Sequence, residues 1–302
     1  MPTKIDLLDS ALPEVTDYTD KESSGTISAE RCAPRAVHEW PDFIDELRTF
    51  RRNLAVDNSR TDYDLPRFNY DHQNEFYNEV GVQSAFEYTA GEAIDQLFDD
   101  EVRLTYYDRS QIPPPRGGHE INKPDMIAWI DCRPRLAVVS GEIKRHNIII
   151  GERPNIVEQY NAGVSIIRRA VDQLTGYQMI HSTEFGFLST YIYTWATRLN
   201  ADGTLLISPS FLSSTGGELS TISMLYFLIS LAKERAEDVH SRWTPPKGLL
   251  KPSVDSYSTG TTTSNEPSSS NVRAISGGAG AAGAAVEGRQ TSSSSSTSLT
   301  FF

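Results

Sequence analysis

Apolar side chains recur near helical spacing in four stretches of the chain, separated by short apolar runs of strand length. In the first, WPDFIDELRTFRR from Trp40 to Arg52, Phe43, Ile44, Leu47 and Phe50 share one face. The second runs from Asn74 to Phe98, with apolar positions at 76, 80, 86, 90, 94 and 97, and Gly81 and Gly91 argue against one unbroken rod. A third is expected over about Ile156–Tyr177, turning Val164, Ile167, Val171 and Leu174 inward. In the fourth, Ser220 or Thr221 caps the segment ISMLYFLISLAKERAED.

Between these lie the strand candidates. Met126–Ile130 and Leu136–Val139 flank the turn-like Asp131-Cys132-Arg133-Pro134 and predict a hairpin. Residues 185–211 hold three β-rich runs, the last two joined by the Asn200-Ala201-Asp202-Gly203 turn. The order helix, hairpin, helix, hairpin, helix predicts an α/β fold: a small mixed sheet flanked by helices.

The flanks read differently. Residues 1–35 are polar, acidic and without periodicity, so they are expected to be disordered, and 36–69 to form a helix and linker ahead of a domain at 70–240. From 244 to 302, Ser, Thr, Gly and Ala dominate, too little apolar surface to offset ordering entropy. A literal GxGxxG at Gly278–Gly283 falls in this tract with no strand before it, so a dinucleotide site is not expected there. Overall hydrophobic content of 38% and a mean hydropathy of -0.40 fit a folded centre with polar ends.

Two cysteines far apart, Cys32 and Cys132, make no metal-ligand pattern and suit a reducing compartment. No basic segment followed by an apolar core opens the chain, and Ile222–Ala232 is too short to span a bilayer. The expectation is an intracellular protein of cytoplasm or nucleus, without a membrane segment. A formal charge of -12 argues against nucleic-acid binding by the whole surface, yet residues 111–200 carry 10 bases against 8 acids. The hairpin lies in that one basic segment.

Its chemistry is concentrated at the open end. Strands folded about the Arg133–Pro134 midpoint pair Asp125 directly with Glu142, Cβ atoms ~4.5–5.5 Å apart. Like charges so placed need a shared proton or a cation. Alternation brings Lys144 to the face of Glu142. Two carboxylates that hold Mg²⁺ (or Mn²⁺) beside an ammonium suit phosphodiester hydrolysis in DNA or RNA.

Pro124-Asp125 followed by Glu142-Ile143-Lys144 resembles the PD-(D/E)XK signature of restriction-endonuclease-like nucleases. Gln173 and Tyr177 add a Q-x-x-x-Y spacing seen in many of them. The blocks downstream, FGFLSTYIYTWATRLNADGTLLISPSF and LSTISMLYFLISLA, resemble the nuclease-like region that precedes the kinase in fungal-type protein kinases, with related modules in Crinkler-type effectors. The resemblance covers about residues 70–235. It implies a restriction-endonuclease-like fold, dependence on Mg²⁺, a supporting role for Gln173, and a further acid from the helix before the hairpin. Glu79 lies in the stretch most like that helix, while Glu87 falls angularly nearer Phe76, Val80 and Ile94. After Ala236 no H-R-D, D-F-G or strand lysine appears, so no kinase activity is expected of this chain.

The alternative to a nuclease is a catalytically silent module of the same fold, kept for recognition beside a kinase. His119 and His146 flank the hairpin, and Tyr193 and Trp195 are expected to build the second hairpin's core rather than stack bases.

Overall fold

The computed structural model describes residues 3–17, 31–54, 75–76, 79–110, 112, 123–132, 134–146, 154–238 and 243–249. All of these fall in one unit, Met1–Thr261; residues 262–302, with the GxGxxG tract, lie outside the described residues.

The chain opens with α1 (Lys4–Leu8) and β1 (Thr16–Asp17), then β2 (Ala36–Glu39) and α2 (Phe43–Asn53). β3 (Glu75–Phe76) pairs with β1; α3 (Glu79–Phe86), a π turn (Glu87–Gly91) and α4 (Glu92–Leu97) follow. Next come β4 (Val102–Tyr106), α5 (Tyr107–Ser110), β5 (Met126–Ile130) and β6 (Leu136–Ile143). α6 (Ile156–Asn161) and α7 (Ser165–His181) cross to β7 (Phe185–Ser189), β8 (Tyr193–Leu199), β9 (Thr204–Ile207), β10 (Phe211–Leu212) and α8 (Thr221–Glu237).

Eight strands make one mixed sheet in the order β2-β9-β8-β7-β6-β5-β4, with β10 joined to β8. β2 runs parallel to β9 and β6 to β7, while the remaining pairs are antiparallel. It follows that β2, β9, β7 and β6 all point the same way, and their carboxyl ends share one end of the sheet. Helices flank the sheet, as the alternating pattern requires. Phe185 and Phe187 join the core formed with α1, α2, α3, α4 and α8. Leu188, Trp195 and Leu199 belong to the core under α6 and α7, against Ile167, Val171 and Leu174. Burying one such side chain contributes about 1.5–3 kcal/mol.

Several elements depart from the expectations. Residues 1–35 are not wholly unordered: Leu7, Leu8 and Leu12 are buried in the main core. Ser223 Oγ donates to the Leu8 carbonyl at 3.0 Å and Tyr191 Oη to that of Pro13 at 2.9 Å. The stretch is short, and its few apolar residues order where the rest of the core receives them. Residues 36–54 likewise belong to the domain, since β2 forms the edge of the sheet beside β9. β4 had no counterpart in the predicted order.

The helix expected over 156–177 divides at Gly163, whose φ of +84° ends α6 before α7 begins. The helical stretch after Glu79 continues through Gly91 by way of the π turn. A Cβ at Gly91 would stand 2.7 Å from the Leu104 carbonyl oxygen, so the glycine lets the helix lie against β4. The Asn200–Gly203 turn joins β8 to β9, and Ser220 caps α8 by accepting from Ser223 N.

Candidate metal centre

The β5–β6 ladder pairs Met126 with Gly141, Ile127 with Ser140 and Ala128 with Val139. Extended by one residue, that register sets Asp125 opposite Glu142. Toward the turn the pairing slips by one, Trp129 facing Ala137 and Ile130 facing Leu136, with Val138 as the extra residue. Ile143 N donates to Asp125 Oδ2 at 2.8 Å, tying the two strand ends together.

β6 is an interior strand, paired with β5 and β7, so Glu142 is fully buried. Its neighbour Gly141 matters for packing: a Cβ there would come within 2.2–2.9 Å of the Phe187 ring. Lys144 continues the ladder past the strand, its N–H donating to the Ser189 carbonyl at 2.8 Å. Its side chain returns along the same face. Lys144 Nζ lies 2.5 Å from Glu142 Oε1 and 2.8 Å from Glu79 Oε1.

Glu79 is the first residue of α3, where a carboxylate also favours the exposed N–H groups of the helix start. Oxygen atoms of Glu79, Asp125 and Glu142 all lie within 4.8 Å of one another. Three carboxylates thus face one ammonium. Burial raises the Asp125 pKa to about 6, reinforced by Glu79 and opposed by Lys144, the Ile143 N–H and Gln83. Burial, then the charge of Asp125, raises Glu142 well above the carboxylate range. Burial alone would lower Lys144, but the attraction of Glu142, Asp125 and Glu79 outweighs it and holds the ammonium charged. Neither oxygen of Glu142 accepts a hydrogen bond of good geometry among the described residues, although the ion pair to Lys144 is short.

Such a cluster is unstable as three anions, and either protons or a hard cation with oxygen ligands relieves it. An ion that takes oxygens about 2.0–2.6 Å away accommodates this spread once the carboxylates draw inward.

The other residues singled out by sequence sit elsewhere. The Glu87 carboxylate accepts from Thr105 Oγ1 at 2.6 Å and Tyr106 N at 3.1 Å, fastening the π turn to β4. Gln173 is buried on α7 and its Nε2 donates to Tyr177 Oη at 2.8 Å; that bond joins the two members of the Q-x-x-x-Y spacing and neither to the acids. His119 lies outside the described residues. His146 packs its ring on Tyr193, centroids 5.6 Å apart. Trp195 is buried under α7, while Tyr193 keeps part of its surface.

Sequence reasoning missed Gln83, which hydrogen-bonds Asp125. The signal was present: a residue four positions after Glu79 lies on the same side of the helix.

No protein-family model matches the chain, and comparison with curated proteins and with solved structures likewise finds no match. Among the described residues, no helix is long and apolar enough to cross a membrane.

Proposed function

We propose that this protein is a metal-dependent nuclease of the restriction-endonuclease-like class, hydrolysing phosphodiester bonds in DNA or RNA. The observation that carries the reading is the convergence of Glu79, Asp125 and Glu142 beside the Lys144 ammonium, with Glu142 buried and its oxygens lacking well-formed hydrogen bonds. The mixed sheet flanked by helices supports the fold class, with Asp125 and Glu142 at the ends of neighbouring strands.

In this reading Glu79, Asp125 and Glu142 hold Mg²⁺ or Mn²⁺. A divalent ion bound there lowers the pKa of a coordinated water and offsets charge on the phosphate. Gln83 and the Ile143 N–H hold Asp125 in orientation. Lys144, always protonated in this setting, orients the attacking water or donates to a phosphate oxygen as charge builds. Gln173 acts at most through its neighbours on α7, because its described hydrogen bond is to Tyr177.

A second reading has its own observation. Lys144 already neutralises part of the acid cluster through two short ion pairs, as would suit a silent recognition module beside a kinase domain in related proteins. Cleavage separates the two. Single- and double-stranded DNA and RNA are incubated with Mg²⁺ or Mn²⁺, beside Asp125→Ala and Lys144→Ala. The nuclease reading expects cleavage that needs the ion and disappears in both variants. Activity surviving both substitutions, or none with any substrate, removes it.

A further inference from the structure

A cavity of about 460 Å³ opens at the same end of the sheet as the acid cluster. Its walls include Trp40, Pro41, Pro154, Tyr193, Trp195 and Pro209. The register places it. Glu142 pairs with Leu188, and Leu188 with Trp195, so an unbroken row crosses from the acids to the cavity wall. Two strand spacings make that about 10 Å. One residue row further out, Lys144 N donates to the Ser189 carbonyl and Thr190 N to the Tyr193 carbonyl. The ring of His146, two residues after Lys144, lies on Tyr193 and joins the two places.

The lining says what the cavity takes. No lysine or arginine is among its described lining residues, so nothing there answers a phosphate. Its polar groups are a carboxylate, an amide and hydroxyls: Glu39, Asn155, Ser208 and Ser210. Asn155 Nδ2 donates to Glu39 Oε1 at 3.0 Å, which fixes the carboxylate and leaves acceptor capacity on it. Apolar walls in which Tyr193 is the partly exposed ring, with an acceptor at the rim, suit an uncharged planar heterocycle carrying an amino group. A base in a duplex is stacked and paired, and cannot enter.

We propose that this cavity receives an unstacked amino-bearing nucleobase, such as adenine or cytosine, of a single-stranded nucleic acid whose phosphate lies at the Glu79–Asp125–Glu142 cluster. The assignment of the neighbouring phosphate rests on the nuclease reading above; the base pocket itself does not. Contact of a base with the partly exposed Tyr193 ring is worth about 1–3 kcal/mol. The pocket therefore makes the protein prefer single strands over duplexes.

The test uses the full chain without divalent ion, titrated by calorimetry with adenosine, cytidine and ribose. A filling variant, Ser210→Phe, alters an exposed wall residue, and Tyr193→Ala removes an aromatic wall. The expected result is saturable binding of the nucleosides and none of ribose, weakened about tenfold in both variants. Single-stranded oligonucleotides should lose affinity in the same variants while duplex affinity stays unchanged. Nucleosides that bind no better than ribose, or bind Ser210→Phe as well as wild type, overturn the pocket. Nucleoside binding in a protein that cleaves nothing sustains the pocket and removes the nuclease reading. Ion-dependent cleavage without nucleoside binding does the reverse.

Discussion

Two buried glutamates lie at opposite ends of the same sheet and differ in what surrounds them. Glu184, just before β7, receives Arg198 Nε at 2.7 Å and lies 3.7 Å from Arg235. Two guanidinium groups answer one acid. Glu142, at the far end of β6, shares one ammonium with Glu79 and Asp125. Two arginines balance the charge of the first site, although Glu184 Oε2 accepts no hydrogen bond of good geometry among the described residues. The second keeps an excess of negative charge that folding alone does not balance. Buried ion pairs are common structural devices, but a buried surplus of one sign is costly and points to a missing partner.

Catalysis should separate the two acids most sharply. If the nuclease reading holds, Glu142→Gln lowers ion-dependent cleavage by about 10²–10³-fold, and Glu184→Gln leaves it within a few-fold, measured as kcat/KM on one substrate. Equal losses in both variants would erase the distinction.

Stability should separate them in the opposite direction. Without divalent ion at pH 8, Glu142→Gln removes an acid that folding must either bury charged or protonate, and gains about 1–3 kcal/mol in denaturant unfolding. Glu184→Gln takes the acid from the partly exposed Arg198 and Arg235 and loses about 1 kcal/mol. A loss in both would mean that Lys144 fully compensates Glu142.

The pH profile carries the same sign. The Asp125 pKa rises on folding from 3.8 to about 6, so the folded state binds the proton more tightly. Its stabilising contribution is complete below pH about 4 and is lost as pH rises through about 6. Glu142 shifts the same way. Asp95, pushed to about 7 by burial, adds a slope of that sign from elsewhere on α4. The measurement is therefore a difference: the fall in stability between pH 5 and pH 8 is smaller in Asp125→Asn than in wild type. Adding Mg²⁺ should recover stability at pH 8 in wild type, by about 2.7 kcal/mol at a hundredfold excess over Kd, and not in the variant.

The smallest expected contrast lies along one helical stretch. Glu79→Gln should weaken Mn²⁺ affinity about 10- to 100-fold by titration, whereas Glu87→Gln should leave it unchanged and lower stability by about 1–2 kcal/mol. Glu87 holds the π turn to β4 through Thr105 and Tyr106. A reversal would exchange their roles.

How much of this was legible before folding is clear from particular residues. The β5–β6 hairpin and the approach of Asp125 to Glu142 follow from two apolar runs and a short turn. The route to that register was not legible, because the slip at Val138 depends on how β6 fits its neighbours. Helix periodicity left Glu79 and Glu87 undecided. An ideal helix sets them about 80° apart, and only the contact of the π turn with β4 assigns Glu87 its work. The docking of Leu7, Leu8 and Leu12 carried only a faint local signal, the Thr3–Asp6 capping box that opens α1.

By itself the chain determined what is local and periodic. The amphipathic face of α7, the Ser220 cap of α8, the Asn200–Gly203 turn and a hairpin with an acid beyond each arm all arise from neighbours a few residues apart. Tertiary structure decided what must be brought from far away: the parallel docking of β2 on β9, the Gln83 bond to Asp125, the approach of Glu79 to Lys144 across 65 positions, and the cavity beside Tyr193. Local patterns have a short memory along the chain. Charge clustering and burial depend on distances in space, which no periodicity encodes.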